Sequence, residues 1–296
     1  MAGSKKGKSK QISMDDGFLM SPKVDFVFKL IFGDENNKDL LIAFLSAVLG
    51  VPAEDFEGIE IINSELLREF AEDRKGILDV RAKTKQGKQI DIEIQILPTE
   101  FMPERTMFYW SKMYTSQIKS GDTYSKLKKC ITINIVDFQC TPLQKLYSSY
   151  HLTEDETGYR LTDILEVHFL EIVKLANRAI PRDENDRIVE WMEFLNAKSK
   201  GVLEMLAEKN KDIKKAYDIL QIISKDEKAR MLYDAREAEL RDQLTRIEAA
   251  ENKGKAEGKA EGKAEVAKNL LDLGMEVSTV AKVAGMTEEE VKLLKY

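Results

Sequence analysis

The chain is poor in cysteine and histidine, and each shortage removes a class of protein. Two cysteines, Cys130 and Cys140, cannot build a disulfide framework, and no CxxC pair offers a zinc site. Two histidines, His151 and His168, lie too far apart for an HExxH-type ligand pair. This cysteine usage points to a reduced, cytoplasmic compartment. No apolar run approaches the ~20 residues of a membrane span. The most apolar one, LLIAFLSAVLGV at 40–51, reads as a core helix. The opening MAGSKKGKSK carries lysines with no apolar stretch behind them, so it is no secretory signal but a disordered basic arm. Its GKS lacks the glycine spacing and the preceding strand of a P-loop. A surplus of positive charge is missing too. Lys+Arg 46 against Asp+Glu 52 gives a net charge of −6, which argues against an indiscriminate polyanion binder. A local basic patch facing nucleic acid stays open.

What is present has an order. The 296 residues suffice for about two domains, or for one domain with a large appendage. Ser21 and Pro22 look like the N-cap and first position of a short helix, VDFVFKLIF, stopped by Gly33. A second helix is expected from about Asn37 to Leu49, with Gly50 and Pro52 ending it. GIEIINSE at 58–65 alternates weakly as a strand. ILDVRAK at 77–83 and QIDIEIQIL at 89–97 flank a Lys-Gln-Gly-Lys turn, which predicts a hairpin. Residues 102–121 have helical periodicity and end on glycine. Strands are expected at 128–138 and 164–173. Past Pro181, residues 182–250 are strongly helical with no proline, and 254–265 repeat GKAE three times. The repeat reads either as a small-residue packing seam or as a half-helical linker. The chain thus divides into a basic arm (1–20), an α/β core (21–180), a helical extension (181–250) and a repeat helix with a tail (251–296).

The hairpin carries the chemistry. With a three-residue loop, Gln86 to Lys88, Lys85 pairs with Gln89, Asp79 lies opposite Gln95 and Arg81 opposite Glu93. Period-two alternation then puts Leu78, Val80, Ala82 and the isoleucines at 90, 92, 94 and 96 on a buried face. Asp79, Asp91, Glu93 and Gln95 share the other. Asp79, Glu93 and Gln95 fall in one cross-strand neighbourhood, roughly 5–8 Å between β-carbons. Such a cluster suits a hard cation such as Mg²⁺, which takes one or two carboxylates plus waters, and it suits phosphodiester hydrolysis. A plain alternative is an amphipathic hairpin with its polar face in water. Against that, no base interleaves with Asp91, Glu93 and Gln95. The next helix also repeats Arg105, Tyr109, Lys112, Ser116 and Lys119 at helical spacing, a stripe fit for a phosphate backbone or simply a solvated face.

The succession SPKVDFVFKLIFGDENNKDLLIAFLSAVLG, GILDVRAKT, IDIEIQI and ERTMFYWSKMYTSQIKSGDTYSKLKKCITINIVDF is similar to the Rpn family. These are recombination-promoting nucleases and transposase-like proteins built on the PD-(D/E)XK fold, and the resemblance spans about residues 20 to 270. It implies an α/β, restriction-endonuclease-like core, a mixed sheet flanked by helices, followed by an α-helical C-terminal extension. It also implies a metal-dependent DNA endonuclease using Mg²⁺ or another divalent cation. Asp79 matches the family's metal-binding aspartate, and Glu93 the acid of the (D/E)XK position. Gln95 stands where the superfamily has lysine. A neutral amide can hydrogen-bond water or phosphate but cannot supply charge or lose a proton, so the general base is unassigned. Lys75 or Arg105 could supply the missing cation, with Arg105, Lys112 and Tyr109 toward the DNA phosphates.

The last segment, VSTVAKVAGMTEEEVKLL, resembles a helix-turn-helix. Glu288, Glu289 and Glu290 at the start of its second helix would repel DNA, so an oligomerisation or packing element fits better. Leu240, Leu244 and Ile247 at heptad-like spacing agree with self-association through the C-terminal helices. Three functions stand: a DNA endonuclease linked to recombination or transposition, an inactive DNA-binding or transposition-accessory protein retaining the fold, and a purely structural interaction protein.

Overall fold

The computed structural model describes residues 17–62, 80–183 and 185–294. The predicted arm and the segment containing Lys75 and Asp79 therefore lie outside the described residues. Helix α1, Asp25–Phe32, starts three residues later than the Ser21–Pro22 signal suggests. Ser21 instead closes a turn, its carbonyl accepting from the Val24 amide at 3.2 Å. Helix α2, Lys38–Leu49, is buried along most of its length and ends on Gly50 at φ 64°, where a left-handed cap suits glycine.

The strands β1 (Glu60–Ile62), β2 (Val80–Lys83), β3 (Gln89–Gln95), β4 (Cys130–Val136), β5 (Tyr147–Tyr150) and β6 (Leu165–Glu171) form one sheet in the order β1-β2-β3-β4-β6-β5. β1, β2 and β5 pair antiparallel, while β3, β4 and β6 run parallel down the middle. Parallel strands must be covered on both faces, and here they are. Helix α3, Met102–Thr115, covers one face; Met102 packs against Val136, Val167 and Phe169. The other face carries Ile90, Ile92, Ile131 and Ile133, all nearly or fully buried. Above it, α1, α2 and helix α4, Arg187–Asn196, meet in an aromatic cluster in which Trp191 lies edge-on to Phe32 and Phe44.

The hairpin register differs from the expected one by two residues. Lys83, not Lys85, pairs with Gln89, and Arg81 lies opposite Asp91 rather than Glu93. The loop is five residues because Thr84 stays in the turn, its amide bonding the Lys88 carbonyl and its own carbonyl accepting from Gly87 at φ 87°. Helix α3 ends at Thr115, so Ser116 and Lys119 fall beyond it and the predicted basic stripe shortens to Arg105, Tyr109 and Lys112. The edge strand β5 has no counterpart among the expected elements.

Beyond Pro181 the chain is helical, as expected: α4, α5 (Lys200–Lys209), α6 (Lys211–Lys225) and α7 (Glu227–Asp272). The contacts divide the molecule into two compact units, Met1–Glu237 and Ala238–Tyr296. In the first unit, late residues secure early ones. Ser224 Oγ accepts from the Met20 amide, Tyr233 OH from the Ser21 amide, and Arg236 grips Asp25 with Nε at 3.0 Å and Nη2 at 2.5 Å. In the second unit, Ala267, Val280, Ala281, Ala284 and Val291 form a small core joining α7, α8 (Val277–Ala284) and α9 (Glu288–Leu293). Thr287 caps α9 with a full capping box to Glu290, as its position before three glutamates suggests. The repeat glycines 254, 258 and 262 lie inside α7 with open space where a Cβ would stand.

Candidate active site

The acids of β3 are not a wet face. Asp91 is 1% exposed and Glu93 4%, because α3 lies across them. Alternation says which side chains share a face; only the covering helix decides whether water reaches it. Register brings Asp91 beside Thr132 and Glu93 beside Asn134 on β4, so a row of polar groups crosses the sheet beneath α3. Thr106 ties the helix down, its hydroxyl bonding Asn134 Oδ1 at 3.0 Å, while Asn134 Nδ2 donates to the His168 carbonyl at 3.1 Å. At the β2 end, Arg81 donates through Nη2 to Gln89 Oε1 at 2.5 Å. Burial pulls the Arg81 guanidinium below its ordinary pKa, and the charge of Asp91 pushes back.

Glu93 is the chemically distinctive member. Neither carboxylate oxygen has a hydrogen-bond partner among the described residues. Arg105 Nε stands 3.6 Å from Oε2, an ion pair just beyond hydrogen-bond reach. Burial drives the Glu93 carboxyl above its usual range, and Arg105 only partly restores it. Arg105 is supported from below by Tyr109, whose ring centroid lies 5.3 Å from the guanidinium carbon. Tyr109 is itself buried, and Lys112 lies 4.1 Å over the Phe108 ring. Gln95 is half-buried at the strand end, and its Nε2 donates to the Leu97 carbonyl at 3.4 Å. The structure thus brings Glu93 and Arg105 together. Asp79 and Lys75 lie outside the described residues.

One family model, that of PD-(D/E)XK nuclease family transposases, matches residues 22–250. The chain belongs to that family. No curated protein and no solved structure gives a significant match. The family match ends short of the GKAE repeat, so the repeat and the tail stand outside it. The mixed six-stranded sheet with its helices and long helical C-terminal region agrees with this membership.

Nucleases of this superfamily generally use divalent metal ions. Among the described residues, no three His, Cys, Asp or Glu side chains converge on a common point. The donor chemistry of Glu93 nevertheless fits a hard cation. A buried carboxylate with no hydrogen-bond donor on either oxygen has full capacity to ligate, and Mg²⁺ needs only one or two such groups.

Sequence reasoning missed a second cation near this end of the sheet. Lys23 Nζ bonds Asp137 Oδ2 at 2.5 Å, and the Asp137 amide donates to the Gln95 carbonyl. The only signal was its place in the SPKVDF segment. Also missed was the meeting of both histidines on Glu166. They are far apart in sequence, and only the β5–β6 edge joins them.

Proposed function

We propose that the protein is a divalent-cation-dependent DNA endonuclease acting in recombination or transposition, with Asp79 and Glu93 as the carboxylates that hold Mg²⁺ or a similar ion. The observation carrying this reading is Glu93, a buried acid on the central strand with no hydrogen-bond donor on its oxygens among the described residues and Arg105 beside it. A structural acid at that depth would be hydrogen-bonded, since an unsatisfied buried charge costs several kcal/mol on the order of those measured for broken buried pairs. The bound ion would activate water and offset the charge that develops on phosphate. Arg105, about a quarter exposed on its side chain and set over the Tyr109 ring, is assigned to a phosphate oxygen. Lys112, and Lys75 from the segment before β2, add charge along the DNA backbone. Gln95, its amide nitrogen engaged with Leu97, offers Oε1 to orient a water. Gln95 cannot take up the proton, so the general base is a group other than Gln95.

A second reading, an inactive DNA-binding or transposition-accessory protein, draws support from Gln95 in place of lysine and from the cover over Glu93. Cleavage of supercoiled plasmid with Mg²⁺ separates the two. Wild type is expected to nick, and Asp79→Ala and Glu93→Gln to lose nicking while still binding DNA. Equal nicking by all three, or binding without nicking in wild type, would discard the endonuclease. Self-association through the C-terminal helices completes the proposal; Leu244, 42% exposed on α7, is a suitable contact. Leu244→Asp should lower the particle mass seen by light scattering.

A further inference from the structure

On the sheet face opposite α3, a cavity of about 450 Å³ opens between α2 and the strands β3, β4 and β6. That volume is in the range of small-molecule sites, ~300–1,000 Å³. Its floor is apolar: Ile90 and Ile131 from the sheet, Val48 and Leu49 from α2. Its wall holds the chain's two histidines. His168 Nε2 lies 2.7 Å from Glu166 Oε1, and His151 Nε2 lies 3.6 Å from Oε2. Lys129 forms a close ion pair with the same carboxylate. None of these groups takes part in the nuclease reading.

Two basic side chains at the mouth bear on the choice of ligand. Glu166 is already satisfied by His168 and Lys129, so it is closed to a metal and its charge is neutralised within the wall. Lys88 and Arg160 remain against Asp55 at the rim, although Arg160 also meets the exposed Asp163 at 3.3 Å. Burial first, and then the Arg160 charge, hold the His151 imidazole below its usual pKa, while Glu166 pulls the other way. Ser149, opposite His168 on the edge strand, adds a hydroxyl.

We propose that this cavity binds a small organic anion, a phosphate or carboxylate on an apolar body, with Arg160, Lys88 and His151 facing the anionic head and Ile90, Ile131 and Leu49 the body. An apolar floor with a cationic rim is what such a molecule requires, since the body must be desolvated while the head must stay paired.

The test uses the full-length chain and anilinonaphthalene sulfonate, an aromatic anion of suitable size, followed by fluorescence and calorimetry. One saturable site per chain is expected. Arg160→Ala should weaken it about tenfold, near 1.4 kcal/mol. Ser149→Glu, which brings an acid to the exposed mouth, should weaken it further, and Leu49→Trp should abolish it by filling the floor. Ile222→Asp, at an exposed apolar position on α6, should leave it unchanged. Displacement by phenyl phosphate or by benzoate supports the site and tells which head group it prefers. Absence of binding, displacement by neither competitor, or equal binding by wild type, Arg160→Ala and Ser149→Glu would overturn it. The exposed positions 149 and 160 carry the decision if Leu49→Trp does not fold.

Discussion

Arg105 Nε faces Glu93 Oε2 at 3.6 Å, so the helix covering the sheet is joined by charge to the acid it covers. Removing Arg105 leaves the buried Glu93 charge without its counter-charge, whereas Arg105, a quarter exposed, reaches solvent when Glu93 is neutral. Arg105→Ala should therefore cost about 2–3 kcal/mol, and adding Glu93→Gln should recover most of it. Urea denaturation of both single variants and the double variant checks the coupling. Additive losses would show that the two residues act independently.

Glu93→Gln alone should be more stable than wild type at neutral pH, by about 1 kcal/mol, while losing cleavage. The sign follows from its pKa. A carboxyl raised in the folded state binds its proton more tightly there than in the unfolded chain. Its ionised form thus costs stability at neutral pH, and that cost fades as pH falls toward the ordinary carboxylate range. The gap in melting temperature between variant and wild type should shrink on acidification.

Glu166 behaves in the opposite way. Burial would raise its carboxyl, but hydrogen bonds and charge from His168 and Lys129 outweigh burial and hold it at about 2. A depressed acid contributes stability above its unfolded value, and that contribution disappears as pH falls through the folded one. The gap amounts to roughly 3 kcal/mol. Wild type should lose this between about pH 4.5 and pH 2, and Glu166→Gln should show a flatter acid limb in a pH series of thermal melts.

The Asp25–Arg236 pair is bidentate but about a third exposed, so solvent discounts it. Arg236→Ala should cost about 1 kcal/mol globally. The larger effect is local: amide exchange at Met20 and Ser21, whose N–H groups bond Ser224 and Tyr233, should accelerate. Unchanged exchange there would show that the neighbouring hydrogen bonds suffice.

Thr287→Ala removes the α9 capping box and should cost the 238–296 unit about 1 kcal/mol. Faster exchange within α8 and α9, with the sheet amides unchanged, is the expected pattern.

Much of this was legible in the sequence because it is local. The isoleucine alternation fixed the face of β3 and glycine at 50 the end of α2. What was not legible depends on distant partners. Asp91 and Glu93 look solvated until α3, which starts nine residues after Glu93, lies over them. The hairpin register slipped because Thr84, whose hydroxyl accepts from the Lys88 amide, prefers the turn to the ladder. β5 reads YSSY, too short and too polar to announce itself, and it is held by its pairing with β6. Without that edge His151 cannot approach Glu166.

The contacts of Met20, Ser21 and Asp25 span 204, 212 and 211 residues. A ribosome adding ~5–20 residues per second makes Ser224, Tyr233 and Arg236 about 10–40 seconds after the segment they secure. The first segment of this unit therefore waits through most of translation, and a chain interrupted before α7 would keep only the Met20–Ser224 bond of the three.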